Sequence, residues 1–104
     1  MLKSSKIRVY NVKGYSMKKI IFGNNKNLIH KNLKLFRVKN ELTQAQLAAK
    51  MQTMNVNIDQ QMISKIEKNN RVVTDYELAC FCHILKVDVK DMLKDFFDNL
   101  DNED

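Results

Sequence analysis

The segment from residue 42 to residue 67 constrains the fold of this chain more than any other. It opens with Leu42-Thr43-Gln44-Ala45-Gln46-Leu47-Ala48 and closes with Ile58-Asp59-Gln60-Gln61-Met62-Ile63-Ser64-Lys65-Ile66-Glu67. Thr43 and Gln46 form a capping-box pattern, and Asp59 stands where a second helix would take its N-cap. The second block has an apolar side and a side of amides, a hydroxyl and an ammonium group. We therefore expect two successive helices, the second with its polar face outward.

Three further helices are predicted from apolar residues at helical spacing. The first carries Ile29, Leu33 and Phe36, and it is expected to end at Asn40 in the left-handed conformation. The fourth in chain order begins at a capping box over Thr74-Asp75-Tyr76-Glu77. The fifth begins at the N-cap Asp88 and has one apolar side, made of Val89, Met92, Leu93, Phe96, Phe97 and Leu100. With no proline and only two glycines, the sequence predicts an all-α fold of five helices.

Charge is distributed unevenly along the chain. Residues 1–39 contain 11 Lys or Arg and no Asp or Glu, whereas residues 40–104 contain 7 Lys or Arg and 12 Asp or Glu. A basic front half favours a polyanionic partner, although a solvated charged surface is an equally simple interpretation. We expect a basic N-terminal extension over 1–26, one domain over 27–100 and an acidic tail over 101–104.

The N-terminal extension allows three interpretations. Residues 6–12 alternate like a strand, and residues 15–22 could return after a turn to complete a hairpin. A disordered basic arm fits equally well, because an isolated hairpin is only marginally stable in water. In the third interpretation Met17 is the natural start and the preceding residues are incidental.

Several classes of protein are disfavoured. The longest apolar run, Leu78 to Cys82, is too short to cross a membrane, and no apolar signal segment follows the basic N-terminus. Cys80 and Cys82 would point about 200° apart on a helix, which favours reduced core thiols over metal ligands. No activated nucleophile, carboxylate pair or phosphate-binding glycine loop is evident. We therefore expect a cytoplasmic protein that is not an enzyme and uses neither a metal nor a cofactor.

Four short motifs occur in order along the chain: Leu33-Lys34-Leu35-Phe36-Arg37, Leu42 to Ala48, Ile63-Ser64-Lys65-Ile66-Glu67, and Leu85-Lys86-Val87-Asp88-Val89-Lys90-Asp91-Met92-Leu93. With them, residues 28–95 resemble the helix-turn-helix domain of the Cro and phage-repressor type, the XRE family. The resemblance implies a five-helix, lambda-repressor-like DNA-binding domain. One departure is the segment from Ala48 to Ile63, which is longer than usual. It has Gln52 where the family's turn has glycine, so the second helix is expected to gain a turn.

The resemblance also implies roles for individual side chains. Four on the third helix would contact base edges in a DNA major groove: Gln60, Gln61, Ser64 and Lys65. Four others would contact the sugar–phosphate backbone: Gln44, Lys68, Asn70 and Arg71. Arg37 and Glu67 resemble a structural ion pair that joins the first helix to the third. The plain alternative for the DNA-contacting sets is a solvated polar surface.

These expectations describe a sequence-specific DNA-binding transcriptional regulator, most simply a repressor, whose partner is a double-stranded operator. Phe96, Phe97 and Leu100 exceed what a small core needs. They are expected either to form a two-fold contact in a homodimer or merely to close the core. The rival interpretation is an antitoxin or regulatory adaptor whose main partner is a protein, bound by the apolar surface of the fifth helix.

Overall fold

The structure, a computed structural model, describes the backbone of residues 23–101 and the side chains of residues 23–100. Six helices follow one another: α1 (His30–Lys39), α2 (Gln44–Thr53), α3 (Gln60–Glu67), α4 (Asp75–Leu85), α5 (Val89–Met92) and α6 (Lys94–Asp101). Residues 23–101 contain no β-strand, which confirms the all-α class over this part of the chain. The interpretations of residues 1–22, including Met17 as the start, and of the tail residues 102–104 lie outside the described residues.

Of the four predicted N-caps, three are confirmed by side-chain hydrogen bonds. The Thr43 hydroxyl accepts the backbone N–H of Gln46 at 3.0 Å, and the Gln46 side chain accepts the N–H of Thr43 at 2.8 Å. Thr74 and Glu77 repeat this arrangement at the start of α4. Asp59 accepts a first-turn N–H of α3 at 2.9 Å. Each cap satisfies an N–H group that the helix itself leaves without a partner.

The prediction of one helix after Asp88 is wrong, because the chain forms two short helices separated at Leu93. In a continuous helix the carbonyl of Met92 would accept the N–H of Phe96. Instead it accepts the side-chain amide of Asn32, on α1, at 3.2 Å, and the Phe96 N–H donates to the Leu93 carbonyl at 3.0 Å. The five predicted helices therefore become six in the described part of the chain. Asp88 occupies the N-cap position of α5 without a side-chain cap bond.

Within residues 23–101, four turn residues other than glycine take the left-handed conformation, with φ of 59°, 65°, 64° and 58°: Glu41, Asn55, Asn69 and Lys86. The expectation for Asn40 is wrong, since its φ is −87° and the next residue, Glu41, takes the positive φ. The Asn40 side chain donates instead to the carbonyls of Phe36 and Leu85, at 2.8 and 3.2 Å. It thereby ties the end of α1 to the end of α4.

The hydrophobic core lies where the first five helices meet. Its largest fully buried side chains come from all of them and from the connection before α3: Leu33, Leu47, Met51, Ile58, Ile63, Ile66, Phe81, Leu85 and Met92. Helix α3 packs against both α1 and α2, so its position is set from two sides. Helix α6 packs against α5, and none of the side chains of residues 94–100 is buried. Within residues 23–101, no helix has the length and apolarity needed to cross a bilayer.

Candidate nucleic-acid interface

Helix α3 is divided between a buried side and a solvent-facing side. Ile63 and Ile66 are 0% exposed and fill the core. Of the four side chains expected to contact bases, three are exposed and one, Ser64, is half-buried. These four side chains make no hydrogen bond or ion pair with any residue of 23–101. The structure therefore brings them together on one side of a short helix, with their polar groups available to a ligand.

The carboxylate of Glu67 ties α3 to α1 and α2. Its two oxygens accept the Nε and Nη2 groups of Arg37, at 2.7 and 3.0 Å. The same carboxylate accepts the side-chain amide of Gln44, at the start of α2, at 3.0 Å. Arg37 also donates to the carbonyl of Leu42 at 2.9 Å. The two residues expected to pair thus form an ion pair that is largely shielded, with 11% and 4% of their side chains exposed.

Gln44 lies in a different environment from the one expected. Its side chain is half-buried, and its amide nitrogen donates to Glu67. Because that amide orients the Glu67 carboxylate, Gln44 supports α3 from the start of α2. A phosphate at this helix end would be bound by backbone N–H groups, which point along the helix axis.

The connection between α2 and α3 is braced by Gln52. Its side-chain amide donates to the carbonyl of Ile58 at 2.9 Å, while Ile58 itself is 0% exposed. Asn55 allows the chain to reverse here through its positive φ. The amide of Gln52 thus satisfies a carbonyl of the turn, and the buried isoleucine anchors the turn in the core.

Arg71, expected to contact phosphate, forms a two-pronged ion pair with Glu77. Nη1 and Nη2 donate to the two carboxylate oxygens at 2.9 and 3.1 Å. Burial by itself would raise the pKa of Glu77, but the hydrogen bonds from Arg71 and from the backbone N–H of Thr74 outweigh it and hold the pKa below its ordinary value. The Arg71 side chain retains 22% exposure. Arg71 therefore has a structural role in holding the segment between α3 and α4.

Three asparagines tie the chain before α1 to the turn after α3, and we call Asn25, Asn27 and Asn69 the asparagine brace. The buried amide of Asn27 donates to two carbonyls at and after the end of α3, at 2.9 and 3.0 Å. The side-chain oxygen of Asn69 accepts the backbone N–H groups of Lys26 and Asn27, at 2.9 and 3.3 Å. Its nitrogen donates to Asn25 at 2.8 Å. The brace fixes the entry into α1 against the exit from α3.

Lysines around α3 keep their charge free. Three ion pairs form among residues 23–100: Arg37–Glu67, Arg71–Glu77 and Lys94–Asp98. Lys65 and Lys68 belong to none of them, and both are exposed, as is Asn70. Asp59, at the N-cap of α3, is the exposed acid on this helix. Helices α5 and α6 carry four acidic residues, Asp91, Asp95, Asp98 and Asp101, so the surface of α3 suits a polyanion better than theirs does.

The apolar side of α6 is only partly covered. Phe96 and Phe97 meet edge to face, with ring centroids 5.4 Å apart and an interplanar angle of 75°. Phe97 is 40% exposed, whereas Phe96 and Leu100 are half-buried. The three residues expected to form a dimer contact are therefore on one accessible helix.

The two cysteines are placed as small apolar side chains. Cys82 is buried, and Cys80 is half-buried against the core. Burial raises the pKa of the Cys82 thiol. Among residues 23–101, no group of three or more His, Cys, Asp or Glu side chains is arranged to hold a metal ion.

No family model matches the chain, and neither a curated protein nor a solved structure matches it. The function of the site therefore rests on the geometry of this chain. Sequence reasoning selected the polar side of α3, but it missed the asparagine brace and the roles of Gln52 and Glu77. The one available signal for the brace was the concentration of asparagine in Asn24-Asn25-Lys26-Asn27 and Asn69-Asn70.

Proposed function

We propose that this protein is a sequence-specific DNA-binding transcriptional regulator, most simply a repressor, and that α3 enters the major groove of its operator. The observation that carries the proposal is the orientation of α3. Its isoleucines are buried and its amide, hydroxyl and ammonium groups face solvent, while Glu67 fixes the helix to α1 and α2. The four motifs that resemble the XRE family support the same assignment, with a lambda-repressor-like arrangement of the helices.

The dimensions of α3 suit a DNA groove. A helix of eight residues is about 12 Å long, close to the width of the major groove of B-DNA, about 12 Å. Gln60 and Gln61 carry the amide groups that pair with adenine, Lys65 can donate to guanine, and Ser64 can adapt to either. These contacts would supply discrimination between sequences.

Affinity that does not depend on sequence would come from groups beside α3. Lys68 and Asn70 are exposed immediately after the helix, where they can meet phosphates that flank the groove. Backbone N–H groups at the start of α2 offer a second phosphate contact. Binding would therefore weaken steeply as salt concentration rises, because phosphate contacts release condensed counterions.

Selection of bound sites from random duplex DNA tests this proposal most directly. We expect enrichment of one short sequence, with an affinity for it at least a thousandfold higher than for random duplex. The logarithm of the association constant should fall linearly with the logarithm of salt concentration. Recovery of no preferred sequence, with equal affinity for all duplexes, would contradict the proposal.

A second candidate function is favoured by α6. Its apolar side is partly exposed through Phe97, and the acids Asp95 and Asp98 flank it. Such a surface fits an antitoxin or regulatory adaptor whose partner is a protein. The same surface fits the contact of a homodimer, which would present two α3 helices to successive major grooves.

Sedimentation of the wild-type chain and of F97S at high micromolar concentration separates these alternatives. A wild-type dimer and a monomeric F97S would support the homodimer. A monomeric wild type that binds no duplex, but forms a stoichiometric complex with the product of a neighbouring gene, would support the adaptor. Lys90→Gln, a change on exposed α5 surface, serves as the matched control.

A further inference from the structure

Lys26 and Lys68 flank Asn69 on the side of the domain where α3 ends. The backbone N–H of Lys26 donates to the side-chain oxygen of Asn69 at 2.9 Å, and Lys68 precedes Asn69 in the chain as the C-cap of α3. Both lysine side chains are exposed. The asparagine brace therefore joins two cationic residues, Lys26 and Lys68, that are 42 positions apart in the sequence. The bond from Asn27 to Asn69 spans the same number of positions.

Within residues 23–100, no carboxylate lies within ion-pair distance of either lysine. Residues 23–40 contain no Asp or Glu. Glu67, the acid nearest to Lys68 in the chain, accepts from Arg37 and Gln44, and it has only 4% of its side chain exposed. Neither lysine forms an ion pair within residues 23–101. Neutral amides hold the two positive residues together, which leaves both charges for an external anion.

We propose that Lys26 and Lys68 form a phosphate clamp beside α3, and that Asn69 is its positioning residue. The inference rests on the proposed function and adds to it a contact from the chain before α1. Its ligand is the DNA backbone at the edge of the groove that α3 enters, where each lysine contacts its own phosphate. The clamp raises affinity for every sequence and takes no part in base discrimination.

The left-handed conformation of Asn69 explains why an asparagine serves here. Its φ is 64°, a value that asparagine tolerates better than most residues, and only a short side chain with both a donor and an acceptor makes all three bonds of the brace. Asn69→Gly keeps the backbone conformation and removes the side-chain bonds. It therefore separates the positioning of Lys26 from the shape of the turn.

The salt dependence of duplex binding tests the clamp, with the wild-type chain, K26Q, N69G and the control K90Q measured on one selected duplex. Each phosphate contact contributes about 0.9 to the slope of log affinity against log salt. Between 50 and 200 mM salt, the wild type should therefore lose about 3.5-fold more affinity than K26Q. N69G should move in the same direction as K26Q, and K90Q should keep the wild-type slope.

The outcomes distinguish the clamp from the proposed function. A wild type that binds no duplex overturns both. A wild type that binds, with K26Q unchanged in slope, overturns the clamp and leaves the role of α3 intact. A reduced slope in K26Q with an unchanged slope in N69G overturns the positioning role of Asn69. Lys26 is exposed, so K26Q keeps the fold and the test remains valid even if N69G unfolds.

Discussion

Glu67, at the end of α3, accepts two parallel hydrogen bonds from Arg37 on α1, although 30 positions separate the two residues in the sequence. Gln44 adds a third bond from the start of α2. One carboxylate therefore sets the orientation of α3 relative to two other helices. Any change at this carboxylate should affect both the stability of the domain and the proposed recognition of DNA.

Removal of one partner of this ion pair should destabilise the domain strongly. Arg37→Ala or Glu67→Ala leaves a shielded charge without its counterion, which costs about 3–5 kcal/mol in comparable pairs. The double variant R37L/E67L should be less destabilised than either single variant, because neither charge remains. Urea denaturation measures the free energy of unfolding. The exposed pair provides the control, since Lys94→Ala should cost less than about 1 kcal/mol.

The free energy of unfolding should decrease as pH falls, because Glu77 becomes protonated. Burial opposes its charge, but hydrogen bonds from Arg71 and Thr74 bring the pKa of Glu77 below its ordinary value of 4.5. A carboxyl group with a lower pKa in the folded state stabilises the protein above the unfolded pKa. It loses that contribution as pH falls through the folded pKa. Stability measured by urea denaturation should therefore decrease below about pH 4.5, and E77Q should show a shallower decrease in that window. An unchanged pH profile in E77Q would rule out this linkage.

The break between α5 and α6 should depend on Asn32. Asn32→Ala frees the carbonyl of Met92 from its side-chain partner, at a cost of about 1 kcal/mol. The freed carbonyl can then accept the N–H of Phe96 and join the two helices. Amide hydrogen exchange should slow at Phe96, and helical circular dichroism should increase. Lack of protection at Phe96 in N32A would show that another contact causes the break.

Variants on the outer side of α3 should separate specificity from stability. Gln61→Ala or Lys65→Ala should cost about 1–3 kcal/mol on the selected duplex and less on random duplex. Neither change touches the core, so the denaturation midpoint should stay within error of the wild type. Equal losses of affinity for both duplexes, or no loss for either, would contradict the proposal that α3 contacts base edges.

Sequence reasoning reached the parts of this fold that local chemistry determines. The caps at Thr43, Asp59 and Thr74 each involve residues three positions apart, and helical spacing alone identifies the buried isoleucines of α3. The break at Leu93 could not be found in this way. The carbonyl that a continuous helix would use accepts instead from Asn32, 60 positions away, a contact that exists only once α1 and α5 have packed.

The same distinction between local and long-range contacts applies to the candidate site. The polar side of α3 is a property of one helix, so the sequence alone could indicate Gln61 and Lys65. The roles of Gln44 and Arg71 depend on which acid the folded chain brings to them, and those acids, Glu67 and Glu77, lie on other elements. Gln44 and Arg71 were expected to contact DNA phosphate, but in the structure their side chains donate hydrogen bonds to acids of the same chain.

Glu41 and Lys86 have positive φ, so glycine at these two positions should raise the free energy of unfolding. Left-handed backbone costs a residue with a β-carbon about 1–2 kcal/mol, only partly offset by the extra entropy that glycine loses on folding, about 0.5–1 kcal/mol. Both positions are exposed and lie in turns outside α3. An engineer could exchange each for glycine and obtain a more heat-resistant protein with its reading surface unaltered. Natural selection has left that improvement untaken, as expected when proteins need only clear a threshold of stability.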